Sequence, residues 1–468
     1  MIEYGTMPKA LSFYLFAIGS LLLYSLMTYA LERDQFTELL ISYLLLFLIA
    51  YQLIQRFSPH FWALAGLALL FRLALLPSIP NLSQDFYRFL WDGRLLVQGI
   101  NPYLTTPEQY LDQGLWNIVP QARELVTGMG TLNASHYSNY PPLNQLCFAI
   151  AALLSGQSIL GSVIVLRLQI IGAELGILWF GKRLLEQLNL PVQRIYWYIL
   201  NPFVIIEMSG NLHFESVMLF FLLLGIYWLH RKRWILSAFA WTSSIAVKLL
   251  PLLLLPVLIQ HLSRWNQKES YRKLFSTSWK SIPYYGLVLL TSLVFFLPVL
   301  SGEFITHFGD TIALWFQKFE FNASVYYLIR WVGYQVKGWN IIGEVGPILP
   351  VVTVIFLIGL SLLRNNRGTR QWLTAALFGV CFYFLLSTTV HPWYVATPLL
   401  LCIFTRYRFP VLWSFTVFLS YSAYGATEFS ERPLLIALEY LTVIGLAIYE
   451  LRQAYRWGSA RKPHLTNQ

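Results

Sequence analysis

FWALAGLALLFRLALLP, residues 61–77, is followed almost at once by SQDFYRFLWDGRLLVQGINPY, residues 83–103. The first stretch is apolar enough to enter a bilayer. The second opens with Asp85, Arg88, Asp92 and Arg94. A helix over 84–97 places Asp85, Arg88 and Asp92 at i, i+3 and i+7, on one face. Charges set directly after an apolar run mark the point where a chain leaves lipid. The rest of the sequence repeats that pattern.

Of 468 residues, 57% are hydrophobic and 12% charged, and the mean hydropathy is +0.55. Soluble domains carry about 25% charged residues. The composition predicts an all-α polytopic membrane protein, because backbone in lipid must satisfy its own hydrogen bonds. The apolar runs are continuous, not alternating, which excludes a porin-like barrel. About 14 runs qualify as transmembrane helices of roughly 20 residues or fewer. They lie near 9–31, 37–56, 60–77, 159–180, 193–208, 212–230, 234–249, 250–262, 282–300, 346–363, 372–388, 393–405, 410–425 and 433–451. Residues 9–31 are too long for a signal-peptide core and no small-residue cleavage site follows, so they read as the first span.

Most of the 33 Lys and Arg fall into loops that are cytoplasmic if both termini are cytoplasmic. The net charge of +11 is therefore a topology signal and implies no nucleic-acid partner. The basic stretch 264–280 is one such inner loop. PPLNQLCFAIAALLSGQ, residues 141–157, would invert this bias as a span, so it is expected to lie along the outer interface as an amphipathic or re-entrant helix. Residues 78–158 then form one large outer loop carrying juxtamembrane helices, a length that usually serves function. Residues 301–345 form a second outer stretch, rich in aromatics. The chain reads as a single membrane domain over 1–468, with additional N-terminal helices in 1–58.

The charged groups near membrane depth gather at the outer rim. NLHFESV, residues 211–217, offers Asn211, His213 and Glu215, which alternate and so cannot share one helical face. Ionisable groups at that depth usually mark a site, although polar capping of two helices explains them too. Lys248, in IAVKLLPLLLLP, and Arg72 and Arg167 sit in outer halves of spans, where cations suit a lipid phosphate; each alone is also a snorkelling or structural residue. His391 stands in TTVHPWYVATPLL beside Trp393 and Tyr394, which an aromatic belt alone explains. Cys147, Cys381 and Cys402 are odd in number and lack metal spacing, so no disulfide framework or zinc site is expected. No GxxxxGK[ST], GxGxxG or GxSxG motif occurs.

DFYRFLWDGRLLVQGINPY, YPPLNQLCFAIAAL, NPFVIIEMSGNLHFESVML, VKLLPLLLLP and HPWYVATPLL occur in that order. This series resembles polytopic glycosyltransferases of the GT-C superfamily, in particular bacterial mannosyltransferase-like members that use a polyprenyl-phosphate sugar. The resemblance runs from about residue 70 to 400. It implies hexose transfer, mannose foremost, to an acceptor hydroxyl on a glycan or lipid at the outer face of the cytoplasmic membrane. It implies Asp85 as general base, with Asp92 next in line, and Arg88 orienting the carboxylates or touching phosphate. Lys248 and His391 would neutralise the leaving phosphate, with Arg72 and Arg167 as further cations. Asn211, His213 and Glu215 would bind sugar or acceptor. An Asp pair can also hold Mg²⁺ or Mn²⁺, although no dedicated cage is visible. The alternatives are a polyprenyl-diphosphate oligosaccharide ligase and a lipid or polysaccharide flippase without bond chemistry. For a flippase, Glu174 and Glu439 are the midplane candidates.

Overall fold

The computed structural model describes residues 9–263, 281–425 and 429–460. The basic stretch 264–280 lies outside the described residues, as do Arg461 and Lys462 of the tail. The described residues are mostly helical and hold no strand beyond two isolated bridges, Phe321 with Thr389 and Tyr424 with Phe429. Seven helices are long and apolar enough to cross a membrane, or eight if the bent pair Pro202–Gly210 and Glu215–His230 is one span. Leu22, Leu289, Ile355 and Leu441 on four of these helices are 62–71% exposed. Apolar surface on that scale needs lipid to cover it.

Each of the fourteen apolar runs is helical, but the count of fourteen full spans is not confirmed. Phe61–Ala74 and Trp234–Val247 are 14 residues each, shorter than a bilayer is thick. Residues 250–262 form a tight 3₁₀ turn into a short helix, around Pro251 and Pro256. Residues 392–403 and 409–423 are likewise short and part 3₁₀.

The large outer loop folds into helices at Asp85–Val97, Pro107–Asp112, Ala122–Ala134 and Pro142–Ser155. Local chemistry sets their starts. Thr106 accepts from Gln109 N–H while the Gln109 side chain accepts from Thr106 N–H, a capping box with Pro107 at the first helical position. Pro142 opens the fourth helix in the same position. The first and fourth helices cross at Gly93, where a Cβ would stand 2.4 Å from the Phe148 carbonyl oxygen. Glycine is what permits that approach. Phe89 stacks on Phe148 at 4.5 Å, and Phe214 meets both edge-on at 5.8 and 5.4 Å. Such pairs add about 0.5–1.5 kcal/mol each beyond buried area. They pin the start of the outer loop to the turn at residues 211–214.

That turn is the break in the bent pair. Ile205–Gly210 is π-helical, Leu212 adopts φ +63°, and the two halves meet at 113°. Broken backbone is tolerated at membrane depth where buried groups satisfy it. Arg167 does this. Its guanidinium donates to the carbonyls of Ser209, Gly210, Leu76 and Ser78 at 2.6–2.9 Å. Below it, Arg72 Nε pairs with Glu174 at 2.6 Å, and Glu174 also accepts from Ser209 Oγ and Ser216 Oγ. The N-terminal hairpin, Lys9–Tyr29 and Phe36–Phe57, packs onto the same body through Tyr43, whose hydroxyl donates to Ser414 O at 2.6 Å. The second outer stretch carries helices Gly302–Gln317 and Val325–Lys337. The strand-like segment at Phe321 ties it to Thr388 and Val390, just ahead of His391.

Candidate active site

A cavity of about 660 Å³ opens where these pieces converge. Six of the ten residues singled out from the sequence line it: Asp85, Arg88, His213, Glu215, Lys248 and His391. They come from four separate parts of the chain.

Asp85 is the first residue of its helix, where the positive end of the helix dipole favours a carboxylate. It is half-buried, and its Oδ1 accepts from Asn133 Nδ2 at 3.5 Å. Burial pushes its pKa up to about 6, against the opposing pull of Lys248, Asn133 and Arg33. An acid so placed is ionised near neutrality yet remains a competent proton acceptor.

Lys248 caps the helix Trp234–Val247 in extended conformation, so its side chain leaves the helix axis. The ammonium pairs with Glu215 and lies 4.7 Å from the Tyr394 ring centroid. It is a third exposed while Glu215 is buried. The four leucines Leu249, Leu250, Leu252 and Leu253 line the same cavity directly after it.

Trp393 lies between two imidazoles. His213 stacks on it at 3.6 Å and 18°, and His391 at 4.5 Å and 5°. Glu207 stands below, its carboxylate accepting from Tyr421 Oη at 2.7 Å and Asn211 Nδ2 at 3.4 Å, with His213 Nε2 3.6 Å away. Among the described residues, His213 Nε2 and His391 Nδ1 have no hydrogen-bond partner. Burial and the Lys248 charge hold the His391 imidazole down to about 3, so it meets a ligand as a neutral ring.

The other four expected residues are not among those lining the cavity. Asp92 has no exposed surface, and its oxygens accept from Arg88 Nε at 2.8 Å, Ser138 Oγ at 2.6 Å and Gln145 Nε2 at 2.8 Å. Asp92 is engaged by these three donors away from the cavity wall that Asp85 lines, so the two carboxylates do not face one open site together. Asn211 braces the break, between Leu82 N–H and Glu207. Arg72 and Arg167 are spent on Glu174 and on four carbonyls. Sequence reasoning placed them by depth, and depth does not say which way a side chain is engaged.

Three contributors were not singled out from the sequence. Arg33, in the connector of the N-terminal hairpin, lines the cavity with its guanidinium 3.9 Å over the Tyr424 ring. His136 and Asn144, from the outer loop, also line it. Asn144 lies within the YPPLNQL motif and His136 four residues ahead of it, and that polar run before an apolar helix was the available signal. For Arg33 a short charged connector gave none.

The family described as "Alpha-(1->6)-mannopyranosyltransferase, N-terminal domain" matches residues 16–264. That range holds every lining residue named above except His391, Trp393, Tyr394, Tyr421, Tyr424 and Phe429. Alpha-(1->6)-mannopyranosyltransferase A of Mycobacterium tuberculosis is 25% identical over 342 residues, 69% of this chain and 62% of that protein. Alpha-(1->6)-mannopyranosyltransferase B of Corynebacterium glutamicum is 27% identical over 150 residues, 31% of this chain and 23% of that protein. The chain thus spans less than two thirds of the length of either relative. The family match covers more than half of the chain, and the protein belongs to the alpha-(1->6)-mannopyranosyltransferase N-terminal domain family.

Proposed function

We propose that the protein transfers a mannosyl residue from a polyprenyl-phosphate donor to a hydroxyl of a mannose-containing acceptor, at the extracytoplasmic face of the membrane. The observation that carries this reading is the union, in one cavity, of a carboxylate, a cation and an apolar wall. A lipid-linked sugar needs all three. Its tail lies against the leucines after Lys248, its phosphate meets the Lys248 ammonium, and its sugar reaches toward Asp85. The relatives' names supply the sugar and the α-(1→6) linkage.

Asp85 takes the proton from the acceptor hydroxyl as that oxygen attacks the anomeric carbon. The bond from the anomeric carbon to the phosphate oxygen breaks, and its electron pair leaves with the phosphate. Lys248 opposes the charge that develops there, and the neutral His391 ring donates an N–H to it. One displacement inverts the anomeric centre. A retaining route would need a second free carboxylate about 5 Å from the first. Glu215 is tied to Lys248 and Asp92 to Arg88, so the single displacement is favoured. The flippase alternative loses support because its midplane carboxylates are occupied, Glu174 by Arg72 and two serines, Glu439 by Trp413 and Asn322.

Asp85→Asn keeps the shape of the site and removes the base. Purified variant should lose about 10²–10⁴-fold in transfer from polyprenyl-phosphate mannose to an α-(1→6)-mannooligosaccharide while binding the donor normally. Full turnover by that variant would overturn the assignment of the base.

A further inference from the structure

Three polar side chains on the cavity wall take no part in the reaction just described: Arg88, His136 and Asn144. Arg88 is held rigidly. Its Nε donates to Asp92, and its Nη1 donates to the carbonyls of Asn133 and His136 at 2.7 and 2.9 Å. Its Nη2 has no partner among the described residues, although the side chain is 3% exposed. His136 has its Nδ1 3.2 Å from the Tyr137 carbonyl. A carbonyl only accepts, so Nδ1 carries the hydrogen and the neutral ring presents Nε2 as a bare lone pair. Burial and the neighbouring Arg88 keep that ring neutral, its pKa lowered to about 4. Nε2 too has no partner. Asn144 is 3% exposed, and its Oδ1 is the third buried polar atom without one.

The pattern of donors and acceptors identifies the ligand. The phosphodiester of a lipid-linked sugar has only oxygens that accept, and it would leave the His136 lone pair unmet and repelled. A sugar hydroxyl donates and accepts at once. Buried polar atoms left unpartnered cost about 1–3 kcal/mol each, so a fixed set of them on residues that line one cavity points to a ligand that completes it.

We propose that Arg88, His136 and Asn144 form a subsite for neighbouring hydroxyls of one hexopyranose ring: Arg88 Nη2 donates to one hydroxyl oxygen, His136 Nε2 accepts from the other hydroxyl, and the Asn144 amide serves either. The phosphate contact then belongs to the Lys248 side of the cavity, not to Arg88. The inference rests on the glycosyl-transfer reading for taking the ligand to be a sugar. The same chemistry fits the ring of the donor or a ring of the acceptor.

The test uses the full chain in nanodiscs, with methyl α-D-mannopyranoside and inorganic phosphate as separate probes, followed by saturation-transfer NMR and by the fluorescence of Trp315, whose ring centre is 5.7 Å from that of His136. His136→Phe and Asn144→Leu should each weaken mannoside binding about tenfold, and His136→Gln, which restores an acceptor, should recover most of it. Phosphate affinity should not change. Weakened phosphate binding with intact mannoside binding would overturn the subsite, as would a wild-type protein that binds no mannoside. In transfer assays, a raised KM for lipid-linked donor assigns the ring to the donor, and a raised KM for the oligosaccharide assigns it to the acceptor. Unchanged values for both would also overturn it. Mannoside binding that responds to the variants, without transfer from polyprenyl-phosphate mannose, would sink the proposed reaction and leave the subsite standing.

Discussion

Asp85 and Asp92 are seven residues apart on one helix, and their surroundings make them opposites. Asp85 faces the cavity with its pKa raised to about 6 by burial. A general base works only when ionised, so kcat/KM should rise with pH through about 6 and level above it. Lys248 is the strongest influence opposing that rise in pKa. Lys248→Met should therefore move the acidic limb to higher pH as well as weaken donor binding; a limb that stays in place would separate the lysine from the base. Asp92, by contrast, is a fixed anchor for Arg88, Ser138 and Gln145. Asp92→Asn breaks a buried pair, a change that costs about 3–5 kcal/mol when one charge is stranded. It should lower Tm and activity together, whereas Asp85→Asn should lower activity at unchanged Tm. Thermal melts of the two variants make the comparison. Spacing along the helix could not distinguish them, because what differs is contributed by residues 46 and 53 positions away.

The break between Pro202–Gly210 and Glu215–His230 shows what hydropathy reads and what it misses. Every apolar run was legible as helix, since apolarity is carried residue by residue. Continuity was not, since it depends on whether freed carbonyls find donors elsewhere in the fold. Arg167 is that donor for Ser209 and Gly210 from within the helix Ile159–Gln187. A rim cation free to bind phosphate and a buried clamp on carbonyls look the same in sequence. Arg167→Met should strand these carbonyls at about 1–3 kcal/mol each and release the turn that presents His213. The expected result is a lower Tm and lost transfer, although the residue does not line the cavity. Arg167→Lys should not rescue, because one ammonium cannot reproduce the planar fork that reaches four oxygens. Wild-type stability in the methionine variant would mean the break is held by other means.

At the scale of the whole molecule, the loops sort into two sets that keep to themselves. One set surrounds the cavity: the turn at 211–214 meets the outer loop through Leu82 and Asn211, and the helix Gly302–Gln317 meets it through His307, whose Nδ1 is 3.2 Å from Tyr103 O. The other set is basic and mutually bonded. Arg194 donates to Thr405 O at 2.8 Å, Arg370 reaches the carbonyls of Leu188 and Asn189, and His230 meets Thr369 at 2.9 Å. If the charge bias in the sequence sets the basic set in the cytoplasm, the cavity lies at the opposite face, as proposed above. The geometry adds a requirement the bias alone did not have, that all the cavity loops cross or none do. A single cysteine at Glu303, exposed on the cavity set, should therefore react with a membrane-impermeant maleimide in intact cells, in a background without Cys147, Cys381 and Cys402. A cysteine at Glu186, whose side chain is 46% exposed on the basic set, should react only after permeabilisation. Labelling of both from one side would break the two-ended arrangement, and labelling in the reverse order would put the proposed chemistry on the cytoplasmic face.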